Sequence, residues 1–203
     1  MKKIESVLNN HRWLSDDSYD KDWKERSALF LKIAENIGLI NEITSYTEYG
    51  CGPFAPLKNA LKEIKFEGIC NCVDIKKWHD ETIVLDLNSN KLNLSDIEGT
   101  DCGCFSGVLE YLDNLPSLFN LMKNKHKILF VSYVVHSNQY FSYEDALHVL
   151  KNLSARANSG WRNHYSFDDL LPIFNEFGYI SGTGMWGNQA LFVLINKDYL
   201  NLN

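Results

Sequence analysis

The chain has no apolar run near the roughly 20 residues that a membrane-spanning helix needs. Its opening residues, Met1-Lys2-Lys3-Ile4-Glu5, lack the apolar core of a secretory signal. Positive charge is also short: 20 lysines and arginines against 26 acidic residues leave −6, whereas a general grip on nucleic acid needs a basic field. Cysteines number five, an odd count, which suits a reducing compartment better than a disulfide framework. The pairs Cys70/Cys72 and Cys102/Cys104 lack the C-x-x-C spacing of zinc knuckles, so they read as small buried hydrophobes, and no metal is expected. Repeats, low-complexity tracts and linkers are missing too. What remains is a cytoplasmic chain of 203 residues, 45% hydrophobic, with enough apolar mass for one full core.

Against these absences stands Tyr46-Thr47-Glu48-Tyr49-Gly50-Cys51-Gly52-Pro53-Phe54-Ala55-Pro56-Leu57. A β-prone run ends at an acidic residue, turns through two glycines and enters a helix. Glycine lets the backbone turn sharply and approach a ligand closely. Pro56 suits the first helical turn. Leu57, Ala60, Leu61 and Ile64 then recur at helical spacing. Strand, glycine turn and helix start together form a cradle for a nucleotide-like group.

The rest of the chain alternates between the two periodicities. Phe30, Ile33, Ala34 and Ile37 mark a leading helix from Trp23 that stops at Gly38. Strands are expected at 43–48, 69–74, 82–87, 102–107 and 127–135. A closing hairpin, 179–185 and 190–195, turns through Gly187-Asn188. Residues 75–80 leave room only for a short turn. Helices follow at 56–65, along Leu112, Leu115, Leu118, Phe119 and Met122, and from Ser142 with Asp145 as its capping partner and Ala146, Val149, Leu150 and Leu153 as its face. Ser166 and Asp169 open a last helix, closed by Gly178 and kinked at Pro172.

The fold expected is α/β: a doubly wound, mostly parallel seven-stranded sheet with one antiparallel edge hairpin and helices on both faces. Residues 1–20 read as a mobile N-terminal arm, 21–203 as a single Rossmann-like domain, and 138–165 as an acceptor-site insertion.

Gly50-Cys51-Gly52-Pro53-Phe54-Ala55 also fits the G-x-G-x-x-G/A dinucleotide pattern, with Asp74 at about the ~20-residue interval that pattern expects. The glycines alone leave a nicotinamide and an adenosyl cofactor both open. The wider set of residues resembles the class I S-adenosylmethionine-dependent methyltransferases. Glu48-Tyr49-Gly50-Cys51-Gly52 is similar to their acidic-x-Gly-x-Gly motif, and Val73-Asp74-Ile75 to the acidic strand end that holds the ribose. Leu85-Asp86-Leu87-Asn88 resembles the segment that reads adenine. Phe105-Ser106-Gly107-Val108-Leu109-Glu110-Tyr111-Leu112 resembles the segment lining the methionine side. Phe54 stands where many members carry a third glycine, and the helix between the second and third strands is missing.

The resemblance implies S-adenosylmethionine as cofactor, held by Glu48, Gly50, Cys51, Gly52, Asp74, Ile75, Asp86, Leu87, Ser106, Gly107, Val108 and Tyr111. Asp74 offers a carboxylate to two ribose hydroxyls, and the cofactor's aminocarboxylate is expected near helix N–H groups.

The acceptor pocket is expected beyond the fifth strand, among Tyr133, His136, Tyr140, Tyr143, Arg156, Trp161, Arg162, Asn163 and His164. His136 and His164 are the candidate bases, each with a loop-anchoring reading beside it. Tyr133, Arg156, Trp161 and Arg162 are the candidate acceptor contacts, and Trp161 reads equally well as a core plug. The Asn-Pro-Pro-aromatic pattern of nitrogen methyltransferases is missing, which favours a small metabolite or sugar-like hydroxyl as acceptor. A small molecule is the only partner expected, with neither nucleic acid nor membrane; monomer and homodimer both stay open. The alternatives are an NAD(P)-dependent oxidoreductase using the same glycine loop, and a catalytically silent methyltransferase-like binding protein.

Overall fold

The computed structural model describes residues 20, 22–89, 92, 94–95, 97–135 and 143–200. Residues 1–19 of the expected arm, His136, Tyr140 and the Ser142 cap lie outside the described residues. The strands are β1 (Ser45–Tyr49), β2 (Ile69–Asp74), β3 (Ile83–Val84), β4 (Cys102–Phe105), β5 (Ile128–Tyr133), β6 (Gly178–Trp186) and β7 (Gln189–Asn196). They form one sheet in the order β3-β2-β1-β4-β5-β7-β6. The pairs from β3 through β5 are parallel, and β7 runs antiparallel to both β5 and β6.

The central strands β1, β4, β5 and most of β7 are buried on both sides, and their alternation sorts the core into two layers. Tyr46, Cys102, Cys104, Ile128, Phe130, Leu191 and Val193 pack with Phe30, Ala34, Leu57 and Leu61. Those last residues belong to α1 (Trp23–Asn36) and α2 (Pro56–Glu63). Tyr49, Val73, Phe105, Leu129, Val131, Tyr133, Phe192 and Leu194 pack on the opposite layer with Leu115, Phe119, Leu170 and Phe174. These come from α3 (Leu115–Met122) and α5 (Phe167–Phe177). Stacked rings tie helix to sheet and strand to strand: Phe30 on Phe130 at 5.2 Å and Tyr49 on Phe105 at 4.5 Å. Cys102 and Cys104 are fully buried in the first of these layers and Cys72 in a smaller cluster of its own, all as free thiols.

Helix ends follow local chemistry. Asn114 accepts the Ser117 N–H at the start of α3, and Ser166 and Asp169 form a reciprocal capping box on α5. The α5 helix runs on through Pro172, whose ring lies on the exposed side. The apolar stripe expected on α4 (Tyr143–Asn158) is only partly covered, with Leu150 60% exposed. The third strand is far shorter than 82–87. Past Val84 the Leu85 N–H still reaches the Asp74 carbonyl at 2.8 Å, but the Asp86 carboxylate then accepts the Asn88 N–H at 2.9 Å and folds the chain into a turn. That turn delivers residues 85–88 to the carboxyl edge of the sheet.

Candidate active site

A cleft opens at the carboxyl ends of β1 to β4, the position where open α/β sheets bind ligands. Its empty volume, mouth included, is about 870 Å³. Gly50, Val73, Asp74 and Ile75 line one part. Leu85, Asp86, Leu87 and Asn88 line the next, and Ser106, Gly107, Val108, Tyr111 and Leu112 face them. Trp23, Gly160 and Arg162 complete the wall.

The glycine turn is built by hydrogen bonds between its own backbone and β2. Gly50 and Gly52 take left-handed conformations, φ +70° and +57°. Gly50 and Cys51 donate their N–H groups to the Val73 carbonyl at 2.8 and 3.3 Å. Asp74, 4% exposed, accepts the Gly52 N–H at 2.9 Å on one oxygen and the Lys76 N–H at 3.2 Å on the other. Trp78 and the Ile75 N–H also act on this carboxylate, which lines the cleft. Burial raises its pKa above the usual carboxylate range, against the pull of those N–H donors.

Glu48, Cys51 and Gly52 shape the turn without lining the cleft. Glu48, 2% exposed, accepts the N–H groups of Leu57 at 2.7 Å and Lys58 at 3.1 Å. It caps α2 from below, because Ala55 at the N-cap position offers no side-chain oxygen. Burial pushes its pKa up to about 8. The expected docking of an aminocarboxylate on these helix N–H groups is therefore corrected: Glu48 already holds them. Cys51 sits against Cys72 in a small apolar cluster.

Ser106 is held by a residue that the sequence did not single out, while the Gly107 N–H donates to Ser132 Oγ at 2.7 Å. Arg26, 2% exposed, donates from Nε to Ser106 Oγ at 2.6 Å, from Nη2 to the Ser106 carbonyl at 2.9 Å and from Nη1 to Gln189 Oε1 at 2.6 Å. Its guanidinium lies over the rings of Trp23 at 5.4 Å and Trp186 at 5.2 Å. Burial lowers its pKa, and the nearby Glu110 charge is the main opposing influence. The only sequence signal was an arginine on the inward side of an amphipathic helix. Asn88, named in the sequence only as the end of the adenine segment, braces the cleft: its side chain donates to the Tyr111 carbonyl and accepts the Asp113 N–H, both at 2.9 Å, tying the two cleft walls together.

On the expected acceptor side, Tyr133 is a core residue, 0% exposed. Its hydroxyl donates to Asn163 Oδ1 at 2.6 Å and accepts the Tyr165 N–H at 2.8 Å, so it anchors the 161–165 segment from below. Asn163 donates in turn to the carbonyls of Leu109 and Leu112 at 2.7 and 2.8 Å. Trp161 donates its indole N–H to the Tyr111 hydroxyl at 3.0 Å and stacks on His164 at 5.9 Å between centroids. Arg156 lies over the Trp161 ring at 4.9 Å. Arg162 lines the cleft and pairs with Asp113. These contacts bring Arg156, Trp161, Arg162 and His164 to one side of Tyr111.

No protein-family model matches the sequence, and no curated protein sequence matches it. Solved structures do. An O-methyltransferase family protein from Burkholderia thailandensis superposes with a TM-score of 0.66 and 12% identity, over 89% of this chain and 59% of its own. PigF, solved with SAH, gives 0.61 and 14% over 92% and 61%. The N,N-8-amino-8-demethyl-D-riboflavin dimethyltransferase RosA from Streptomyces davawensis gives 0.55 and 16% over 77% and 50%. This chain thus has the class I methyltransferase fold. It spans about three-fifths of the length of the Burkholderia protein.

Proposed function

We propose that this chain is an S-adenosylmethionine-dependent methyltransferase acting on a hydroxyl of a small molecule. The observation that carries the reading is the buried carboxylate of Asp74, fastened to the glycine turn and lining the cleft. Neighbours of the same fold, PigF and CalO1, were solved with SAH, and others are described as O- or N-methyltransferases. Asp74 is suited to two ribose hydroxyls. Leu87 supplies an apolar face for adenine, and Asp86 an acceptor for its exocyclic amine. Gly50 leaves bare backbone beside the ribose, with Ile75 and Val108 packing the adenosine. The amino-acid end belongs near Ser106 and Gly107, where Arg26 supplies positive field. Bound there, S-adenosylmethionine supplies an electrophilic methyl on a sulfonium. The chain's own contribution is alignment and exclusion of water, for which the Tyr111–Trp161 wall is placed.

Calorimetry and thermal shift against S-adenosylhomocysteine, NAD and NADP test this reading. A ligand at about 100 times its Kd adds about 2.7 kcal/mol of stability. Stabilisation by S-adenosylhomocysteine alone is the expected result; a response only to NAD or NADP would make the protein an oxidoreductase.

A further inference from the structure

Glu110 sits between cleft-lining Val108 and Tyr111 and is 1% exposed. One of its carboxyl oxygens accepts the Val134 N–H at 3.1 Å. That bond carries the carboxyl from the end of β4 across to the end of β5, away from the Asp74–Asp86 side of the cleft. Its other oxygen is buried with no hydrogen-bond partner, the only carboxyl oxygen so placed among the described residues. Its backbone carbonyl accepts the Arg162 N–H at 2.8 Å, which fixes the facing loop against it.

A second orphan lies on the same side. Arg156 Nη1 is buried without a hydrogen-bond partner, while its guanidinium lies on Trp161, itself bonded to Tyr111. Arg156 is close enough for its charge to act on the Glu110 carboxyl. Leaving a charged donor and a charged acceptor buried and unpaired is costly. A hydroxyl, which gives one hydrogen bond to a carboxylate and takes one from a guanidinium, satisfies both.

We infer that Glu110 and Arg156 form the acceptor subsite, Arg156 positioning an acceptor hydroxyl and Glu110 serving as the catalytic base. The inference rests on the methyltransferase reading. As the acceptor oxygen bonds to the methyl carbon, the sulfur–carbon bond breaks with its electron pair going to sulfur. The hydroxyl proton passes to the free Glu110 oxygen and later to solvent. The charges whose fields reach this carboxyl are Arg26 from α1 and Arg156 from α4, and its own charge acts on the Tyr133 hydroxyl from β5. Burial raises the carboxyl's pKa and the two arginines restrain it, which brings it nearer the working pH of a base.

The test uses the whole chain, its Glu110→Gln and Arg156→Met variants, and a small-molecule metabolite extract supplied with 13C-methyl S-adenosylmethionine. Gln keeps the acceptor for the Val134 N–H, and thermal melting checks its folding. Calorimetry with S-adenosylhomocysteine is expected to give the same Kd for wild type and Glu110→Gln within twofold. The labelled product is expected to carry a methyl on oxygen, identified by its 13C shift. Its formation should fall at least 100-fold in Glu110→Gln and rise with pH at unit slope in wild type alone. Arg156→Met should raise KM for that product's parent more than it lowers kcat. A methyl on nitrogen or sulfur, equal turnover by Glu110→Gln, or S-adenosylhomocysteine binding with no product would overturn the base assignment while leaving the cofactor site standing. Absence of S-adenosylhomocysteine binding by wild type would overturn the proposed function and this inference with it. Should Glu110→Gln fail to fold, the wild-type pH profile decides: a rate flat across the carboxyl's titration, followed by 13C-carboxyl NMR, refutes the base.

Discussion

Asp74 accepts the Gly52 N–H at 2.9 Å, so the end of β2 and the glycine turn after β1 form one rigid unit. Removing that carboxylate takes away a ligand acceptor and loosens the turn together. Asp74→Ala is expected to weaken S-adenosylhomocysteine binding by about 1–3 kcal/mol, roughly 5- to 150-fold in Kd. Asp74→Asn keeps one oxygen acceptor and should fall between the two. Calorimetry reads both, and an unchanged Kd would remove Asp74 from the ribose site.

Gly50 carries a sharper steric demand. A β-carbon placed on it would stand 2.5 Å from Val108 Cγ2, at φ +70°. Gly50→Ala should destabilise the fold by at least the roughly 1–2 kcal/mol of a left-handed non-glycine residue, with further cost from the clash. Adding Val108→Ala relieves the clash and leaves the backbone cost. Urea denaturation of the single and double variants separates the two contributions; equal stability of the single variant and wild type would mean that the turn takes another conformation.

These two residues also show what the sequence made legible. The strand-turn-helix grammar around Gly50 and the acidic end of β2 are local patterns, so the cradle and the sheet could be read from spacing and periodicity alone. Glu48 was legible as an important acid, but its target was not: whether a buried carboxylate caps a helix or lines a cleft depends on which way one strand residue faces. Arg26 and Glu110 were not legible in the roles inferred for them. Each is polar on a face where periodicity predicts core, and only tertiary packing shows what charge lies opposite. Tyr133 was misread for the mirror-image reason. A tyrosine at a strand end beside a pocket looks like a contact, but its hydroxyl is consumed by Asn163 and Tyr165 inside the core.

The buried His126 predicts a pH dependence of stability. It is 3% exposed, its Nδ1 lies 3.1 Å from the Thr100 carbonyl, and its Nε2 lies 2.8 Å from the Tyr49 hydroxyl. A carbonyl only accepts, so Nδ1 carries the proton and Tyr49 donates to Nε2. Burial lowers the pKa from 6.5 to about 4. The unfolded chain therefore takes up a proton below about pH 6.5 that the folded chain refuses until about pH 4. Stability falls as pH drops through that window, by roughly 3 kcal/mol in all, and is unaffected by this group above it. Glu48 acts in the opposite sense: its raised pKa favours the fold below about 4.5 and loses that contribution as pH rises through about 8. Comparing wild type with His126→Gln at each pH cancels the Glu48 contribution. The difference between their unfolding free energies should shrink from pH 6.5 to 4; a constant difference would show that His126 titrates normally.

Arg26 links the fold's stability to the cleft. Its three donors meet Ser106 twice and Gln189 once, and a β-carbon on Gly107 would come within 2.9 Å of its Nη1. Arg26→Met fills much of the volume but strands two buried acceptors on Ser106 and a half-buried one on Gln189, at a cost of about 3 kcal/mol in urea denaturation. Arg26→Lys keeps the charge but cannot reproduce a planar fork lying against two tryptophans, so it should recover less than half of that loss. Because Arg26 restrains the Glu110 carboxyl's pKa, Arg26→Met should also move the Glu110 titration to higher pH, followed by 13C-carboxyl NMR. Unchanged stability in Arg26→Met, with the Glu110 titration unmoved, would reduce Arg26 to a space-filling residue of the first helix.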